Sequence, residues 1–351
     1  MANIVLTGGG TAGHCTPHLA LLPYLKKDFE NIYYIGSKNG IEKEIIEKEN
    51  IPYFGVKCAK LNRAITLKNL KIPFEVTSGI IQAGKILDKL KPDVIFSKGG
   101  YVAIPTVIAA KQRKIPVIAH ESDFTIGLAN KISAKFCKKI LTSFQETAKT
   151  IKNGEFVGSP IRIKINTTLS KDDFIKFGFS GEKPVLLVTG GSTGAKYLND
   201  VLRQALPNLT PKFDVLHICG KHNLDKRINC TGYYQVEYMH DIEKAFSIAD
   251  VCISRAGSNA VFELLSLKKP CVLVPLPKGI SRGDQILNAK YFQKLGLVSV
   301  LEQDCLTDQS LIYNVNAVYA NRFNIKKNFD LNPIDDKSPQ IAKILCDYAR
   351  D

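Results

Sequence analysis

The sequence predicts an α/β protein made of two Rossmann-like halves, each built on a parallel sheet, and three observations predict it. Short runs of consecutive apolar residues, such as PVIAH (116–120), PVLLVT (184–189) and CVLVP (271–275), alternate along the chain with longer amphipathic stretches. Continuous apolar strands separated by helical patterns belong to parallel sheets covered on both faces. IVLTGGGTAG (4–13) and LLVTGGSTGA (186–195) repeat a strand-Thr-Gly-Gly-x-Thr arrangement at an offset of 182 residues, about half the chain. The length of 351 residues also suits two domains at about 150 residues each.

In the first half, strands are expected at 3–7, 31–36, 93–97, 116–120 and 139–143. In the second they are expected at 184–189, 214–219, 233–239, 250–254, 271–275 and 297–301. A boundary near VGSPIR (157–162) divides the chain into domains over 1–160 and 161–338. A terminal helix at about 339–351 can pack on either half, including back on the first domain. Glycine turns after strands lie at the carboxyl edge of a parallel sheet, where such folds bind ligands. Two such edges facing each other would make a cleft.

Composition excludes several classes. A hydrophobic fraction of 45% and a charged fraction of 23% are those of a globular protein, not of a disordered or fibrous one. No apolar run approaches the roughly 18 residues that span a bilayer. MANIVLTGGG has no basic region ahead of its apolar residues and runs into a glycine loop, so no signal peptide is expected and the cytoplasm is the expected compartment. Nine scattered cysteines without a C-x-x-C read as reduced thiols. The net charge of +15 is uneven, with 23 Lys and Arg against 13 Asp and Glu in residues 1–160 and 25 against 20 in 161–351. A basic first half points to an anionic partner, nucleic acid or an acidic membrane. Between Lys60 and Lys91, seven basic residues face two acidic ones among Leu61, Ile65, Leu70, Ile72, Phe74, Ile80 and Ile81. That mixture favours an anionic lipid surface, and sparse aromatic interleaving disfavours nucleic acid.

GGGTAG (8–13) matches G-x-G-x-x-G literally, so a dinucleotide is the first ligand to weigh. Two features oppose NAD. The second strand ends in Gly36-Ser37-Lys38, without the acidic residue that holds an NAD ribose, although Ser and Lys suit NADP. Pro17 fits the first position of a helix capped by Thr16, which makes Gly8 to Cys15 an extended loop ahead of a helix N-terminus. Successive glycines let backbone N–H groups approach an anion, and the helix end adds positive potential. His14 sits in that potential, which favours the neutral imidazole a general base requires. The alternative is a histidine that only caps its loop. His18, four residues on, is expected on the helix surface.

TGGSTGA (189–195) contains G-x-S-x-G, so a hydrolase with Ser192 as nucleophile is weighed. That fold needs a late histidine, and the last one here is His240, so Ser192 is better read as a phosphate ligand in a glycine loop. FSKGGYVAIP (96–105) is a third glycine turn from which Tyr101 projects, as readily a structural corner as a site. SRAGSNAVFELL (254–265) reads as a strand end, a turn at Gly257 and a helix capped by Ser258. The N–H groups of Asn259 to Val261 are then open to a phosphate or sugar. Glu263 can hold a ribose diol, or be an ordinary Glu favoured by the helix dipole. HESDFTIGLANK (120–131) places His120, Glu121 and Asp123 after a buried strand, but no second ligand set or Asp-x-Asp accompanies them, so no metal is expected.

In this order and spacing, GGGTAGHCTP, SKGGYVAIP, HESD, GLANK, VGSPIR, GGSTGA, YMHDI, SRAGSNAVFE and DQILNA resemble the MurG family of bacterial glycosyltransferases over nearly the whole chain. The resemblance implies the GT-B fold and a peripheral enzyme on the cytoplasmic face of the bacterial cell membrane. It implies inverting transfer of N-acetylglucosamine from UDP-N-acetylglucosamine to the C4 hydroxyl of undecaprenyl-diphosphate-linked muramoyl-pentapeptide, lipid I to lipid II, in peptidoglycan synthesis. The sugar nucleotide is then a substrate, and no cofactor is expected. By the same resemblance His14 is the base. The donor side comprises Thr11, Ala12, Gly13, Arg162, Ser192, the Met239 backbone, Ser258, Asn259, Ala260, Val261, Phe262, Glu263 and Gln285. Acceptor or supporting positions are Gly9, Gly10, Gly99, Gly100, Tyr101, His120, Glu121, Asp123, Asn130, Asn199 and Arg255. The chain departs from the family twice: His120-Glu121-Ser122-Asp123 stands where His-Glu-Gln-Asn is frequent, and Asp284-Gln285 where paired glutamines are frequent. A transferase of this fold with another lipid acceptor, or an NADP-binding module, is the alternative.

Overall fold

The computed structural model describes residues 2–60, 72–163, 174–191, 194–279 and 281–350. They form two compact units, Met1–Arg162 with Asp335–Asp351, and Ile163–Ile334. Leu61, Ile65 and Leu70 of the basic-apolar stretch, and Ser192, lie outside the described residues.

The first unit runs β1 (Ala2–Thr7), α1 (Thr16–Asp28), β2 (Phe29–Ser37), α2 (Ile41–Glu47), β3 (Tyr53–Val56), α3 (Ile72–Leu90), β4 (Val94–Ser97), α4 (Ile104–Gln112), β5 (Val117–Glu121), α5 (Leu128–Ser133), β6 (Lys139–Thr142), α6 (Gln145–Lys149) and β7 (Gly154–Phe156). Its strands pair in parallel in the order β3-β2-β1-β4-β5-β6-β7. The second unit runs β8 (Val185–Thr189), α7 (Lys196–Leu209), β9 (Asp214–Ile218), β10 (Tyr233–Val236), α8 (Ile242–Ile248), β11 (Val251–Ser254), α9 (Ser258–Ser266), β12 (Cys271–Leu273), α10 (Asp284–Lys294), β13 (Val298–Val300), α11 (Asp308–Ala320) and α12 (Arg322–Leu331). Its parallel order is β10-β9-β8-β11-β12-β13. The chain returns to the first unit through α13 (Ser338–Arg350).

Each apolar run of the sequence is a strand. The exceptions are instructive. β3 and β7 are edge strands: YFGV is short, is broken by Gly55 and buries only Val56, and GEF is three partly exposed residues. β10 ends at Val236 rather than 239, because Glu237 to Met239 leave the sheet and Tyr238 is exposed.

Both faces of the first sheet are covered. Ile4 and Leu6 of β1 point into a layer made by Leu21, Leu22 and Leu25 of α1 and Ile341, Ala342 and Leu345 of α13. Val5, between them, points the other way, against Ala83 and Leu87 of α3 and Val107 and Ala110 of α4. This period-two alternation within a wholly apolar strand marks a two-faced core. It also corrects the expectation for His18, which is completely buried. His18, Leu21, Leu22 and Leu25 follow i, i+3, i+4, i+7 spacing, so the ring lies on the core stripe of α1. It packs edge-on to Tyr34 and Phe96 at 5.3 and 5.5 Å, and burial, aided by nearby Lys98, pulls its pKa down to about 3.

Asp336 fastens the return of the chain. Its Oδ1 accepts the Ile161 N–H at 3.0 Å and the Ser338 N–H at 2.9 Å. Among the described residues no helix is long and apolar enough to cross a membrane. Leu345, fully buried beneath β1, tests the role of α13. Leu345→Ala should cost about 2–5 kcal/mol in urea unfolding, and a loss below about 1 kcal/mol would mean that α13 does not close this core.

Candidate active site

In each sheet the strand order reverses at one point, between β1 and β4 in the first unit and between β8 and β11 in the second. Loops leaving the carboxyl ends of such a strand pair diverge to opposite faces and leave a crevice. Three of the four loops at these points carry motifs with adjacent glycines, and the fourth carries SRAGSNAVFE.

In the first unit, the loop after β1 carries Gly8 to Cys15 and the loop after β4 carries Gly99 and Gly100. The two interlock. Gly100 has φ +77, and a Cβ there would lie 2.2 Å from the Gly9 carbonyl oxygen and 3.4 Å from His14 Cγ. Gly10, at φ +84, lies under the Tyr101 ring, which a Cβ would meet at 2.5 Å. The Tyr34 hydroxyl holds the start of the first loop by donating to the Gly8 carbonyl at 2.9 Å. Glu42, fully buried in α2, holds its middle: the carboxylate accepts the Gly10 N–H at 3.2 Å and the Ser37 N–H at 3.0 Å, and contacts Ser37 Oγ. The Gly10 amide is thus directed into the protein, while Thr11 and Gly13 are exposed and Ala12 half-buried.

The loop is not wholly extended, as the sequence suggested. Ala12–His14 forms a 3-10 turn, and α1 begins at Thr16 with Cys15 at its cap position. Thr16 is therefore inside the helix, and its hydroxyl donates back to the Ala12 carbonyl at 3.2 Å. The turn lifts His14 half out of the core, with Nδ1 2.9 Å from Thr11 Oγ1.

Beside this loop, the HESD segment is turned inward. Glu121 is buried, which raises its pKa, with Asp123 adding to the shift. It accepts N–H groups from Asp123 at 3.1 Å and Gly127 at 2.8 Å and the Asn130 amide at 3.0 Å. Asn130 Oδ1, buried without a hydrogen-bond partner, lies where a Cβ on Gly99 would come within 2.6 Å. His120 is fully buried, with Nε2 2.9 Å from the Gly158 carbonyl. Glu121 and His120 thus shape the loop from behind, while Asp123 remains half-exposed. Arg162, where the chain leaves this unit, is exposed.

In the second unit, Gly194 ahead of α7 packs where a Cβ would lie 2.3 Å from the Cys219 carbonyl. Asn199 supports that contact from below. Its Nδ2 donates to the same carbonyl at 2.8 Å and its Oδ1 lies 3.0 Å from His217 Nε2. After β11, α9 begins at Ser258 with Gly257 as its cap, one residue earlier than expected. The Val261 N–H is consequently bonded to the Gly257 carbonyl at 3.0 Å, and the outward-facing amides of the first turn begin at Ser258. Val261 and Phe262 are core side chains, and Phe262 meets Phe292 at 5.4 Å. Glu263 is half-buried.

α10 is tied to the same turn. Asn288 Nδ2 donates to the Ala256 carbonyl at 3.3 Å, and Gln285 Nε2 lies 3.9 Å from the position of a Cβ on Gly257. Gln285 Oε1 accepts the Leu276 N–H at 3.0 Å, whereas Asp284 is paired to Arg282 at 2.7 Å. Arg255 is buried and braces the strand ends, donating to the Val274 carbonyl at 3.0 Å and Gln303 Oε1 at 2.7 Å. Met239 sits half-buried in the loop after β10.

Family models match both units: the glycosyltransferase family 28 N-terminal domain over residues 4–142 and its C-terminal domain over residues 185–343. The chain belongs to glycosyltransferase family 28. It is 46% identical over 354 aligned residues, with all of both chains covered, to the UDP-N-acetylglucosamine–N-acetylmuramyl-(pentapeptide) pyrophosphoryl-undecaprenol N-acetylglucosamine transferase of Clostridium botulinum (strain Langeland / NCTC 10281 / Type F). It is 50% identical over 325 residues, 92% of each chain, to a transferase of the same name, numbered 3, from Bacillus thuringiensis (strain Al Hakam). The crystal structure of Acinetobacter baumannii MurG superposes with a TM-score of 0.76 at 24% identity, covering 98% of this chain and 99% of that one, which shows the shared fold.

Within this family 28 chain, sequence reasoning overlooked Glu42, Lys98 and Asn288. Each is an ordinary residue in its local pattern, and the positions matter only because other loops come to them. A first-turn Glu after Gly40 was the only signal for Glu42. The interlock itself can be tested by Gly100→Ala. The added methyl meets the Gly9 carbonyl in a conformation that disfavours alanine. The variant should lose on the order of 1–3 kcal/mol in thermal unfolding, and unchanged melting would show that the two loops are not locked.

Proposed function

We propose that this chain transfers N-acetylglucosamine from UDP-N-acetylglucosamine to the C4 hydroxyl of undecaprenyl-diphosphate-linked muramoyl-pentapeptide, with inversion at the anomeric carbon. The observation that carries the reading is the full-length 46% identity to the Clostridium botulinum transferase, whose name states that donor and that acceptor. The geometry of the two switch points supports it.

In this reading the acceptor oxygen attacks the anomeric carbon as the bond to UDP breaks, and His14 takes the hydroxyl proton on Nε2. The tautomer able to do so carries its own proton on Nδ1, and Thr11 Oγ1, 2.9 Å away, is placed to accept it. Thr11, Ala12 and Gly13 form the exposed face of the same turn. Charge developing on the diphosphate is met by the amides that open α9, which the helix orients beforehand, and by Arg162 and Ser192, the ligands the family resemblance implies. Glu263 holds the ribose diol, Gln285 the sugar or phosphate, and the Met239 backbone the uracil. Gly9, Gly10, Gly99, Gly100 and Tyr101 shape the acceptor side. No metal ion or cofactor is part of the proposed reaction.

We further propose that α3 rests on the membrane that carries the acceptor. Phe74 is 80% exposed and Ile81 55%, and with Lys85 they stand at i, i+7 and i+11 on one face. Sedimentation with anionic phosphatidylglycerol vesicles should therefore carry the protein down in low salt and release it in high salt, and pelleting no greater than without vesicles would remove the membrane role.

The catalytic proposal is tested with radiolabelled UDP-N-acetylglucosamine and a detergent-solubilised lipid-linked acceptor. The wild type should form the disaccharide product, and its failure to do so would overturn the proposed function. His14→Ala should lower kcat by about 10²–10⁴ while leaving UDP affinity within about twofold; a near-normal kcat would remove His14 from the base role.

A further inference from the structure

Lys98 follows β4 directly and precedes Gly99 and Gly100, yet only 2% of it is exposed. Its Nζ lies 2.7 Å from His120 Nδ1 and 2.6 Å from Ser122 Oγ. The other nitrogen of His120 faces the Gly158 carbonyl, which can only accept. Nε2 therefore carries the ring proton, and Nδ1 is the acceptor for Lys98. A directed chain results, from Lys98 to His120 to Gly158, with a branch to Ser122. Ser122 opens the segment whose later amides, Asp123 and Gly127, are bonded to Glu121. Ser122 and Asp123 are also the two positions where the chain departs from His-Glu-Gln-Asn. Lys98 gives that departure a physical reason: the Ser122 hydroxyl meets the buried ammonium, and the charge of Asp123, with that of Glu121, favours it.

We propose that Lys98 is a positioning residue of the acceptor side: its ammonium, shared between His120 Nδ1 and Ser122 Oγ, holds residues 120–127 in the conformation that receives the lipid-linked acceptor. The inference rests on the transferase reading above. The groups facing Lys98 are Glu121 and Asp123, which favour its charge, and His120 and His18, which burial keeps neutral. Burial nevertheless lowers the Lys98 pKa to about 7. The ammonium is present below that pH and is lost as pH rises through it. Acceptor kcat/KM should fall over the same interval.

The test is steady-state kinetics of Lys98→Met in the full chain, with donor and acceptor varied separately from about pH 6 to about pH 9. The KM for the acceptor should rise about tenfold and that for UDP-N-acetylglucosamine should stay within about twofold, the scale of one lost charge-assisted hydrogen bond. The alkaline fall in acceptor kcat/KM should be absent from the variant. A folded Lys98→Met protein with wild-type acceptor KM and pH profile would overturn the proposal. Should that variant fail to fold, Ser122→Ala decides: it removes only the loop branch, and an acceptor KM raised about threefold supports the proposal while an unchanged one overturns it. Wild-type protein that does not turn over the lipid acceptor would instead overturn the transferase reading, so the two failures are distinguishable.

Discussion

The first unit depends on the close approach of Gly9 and Gly100, where two loops from neighbouring parallel strands meet without space for a Cβ. Parallel pairing of β1 and β4 brings the loop starts side by side, and the reversal of strand order sends their helices to opposite faces. At Gly9 and Gly100 the loops therefore meet backbone to backbone. That contact puts His14 beside Gly100 and Tyr101 over Gly10. A side chain at Gly100 would press on the Gly9 carbonyl and the His14 ring, and one at Gly9 on the Glu42 carboxylate that holds the same loop.

Around this contact, buried polar groups serve the loops more than any ligand. Glu42, Glu121, Asn130 and His120 are nearly or wholly inaccessible: Glu42 accepts from the switch-point loop at Gly10, while the other three bond backbone at Gly127, His120 and Gly158 in the neighbouring segments. Burying a carboxylate is costly unless donors surround it, and here the donors are the amides of the loops themselves. The energy that fixes each carboxylate also fixes the loop. What remains exposed, Thr11, Gly13 and half of His14, is the part that meets a substrate in the proposed transfer. The second unit repeats the logic with neutral groups: Asn288 holds the Ala256 carbonyl in the loop after β11, and Asn199 holds the Cys219 carbonyl after β9, against which Gly194 packs.

The sequence by itself determined the fold class, because a parallel sheet covered on both faces requires continuous apolar strands, and these are visible without neighbours. It also determined which loops carry glycine, and the order of its motifs sufficed to place the chain among the family 28 transferases. It did not reveal β3 or β7, since edge strands of partly exposed residues have no pattern of their own. Helix starts were read one residue off at Thr16 and Ser258, because a hydroxyl at the beginning of a helix looks the same at the cap and at the first turn. Only the tertiary structure decided that α13 packs beside α1, that His18 belongs to the core, and that Glu42 and Lys98 hold loops far from them in sequence. Those outcomes arise from contacts across the sheet, and burial turns a single side chain into a constraint only after distant segments have enclosed it.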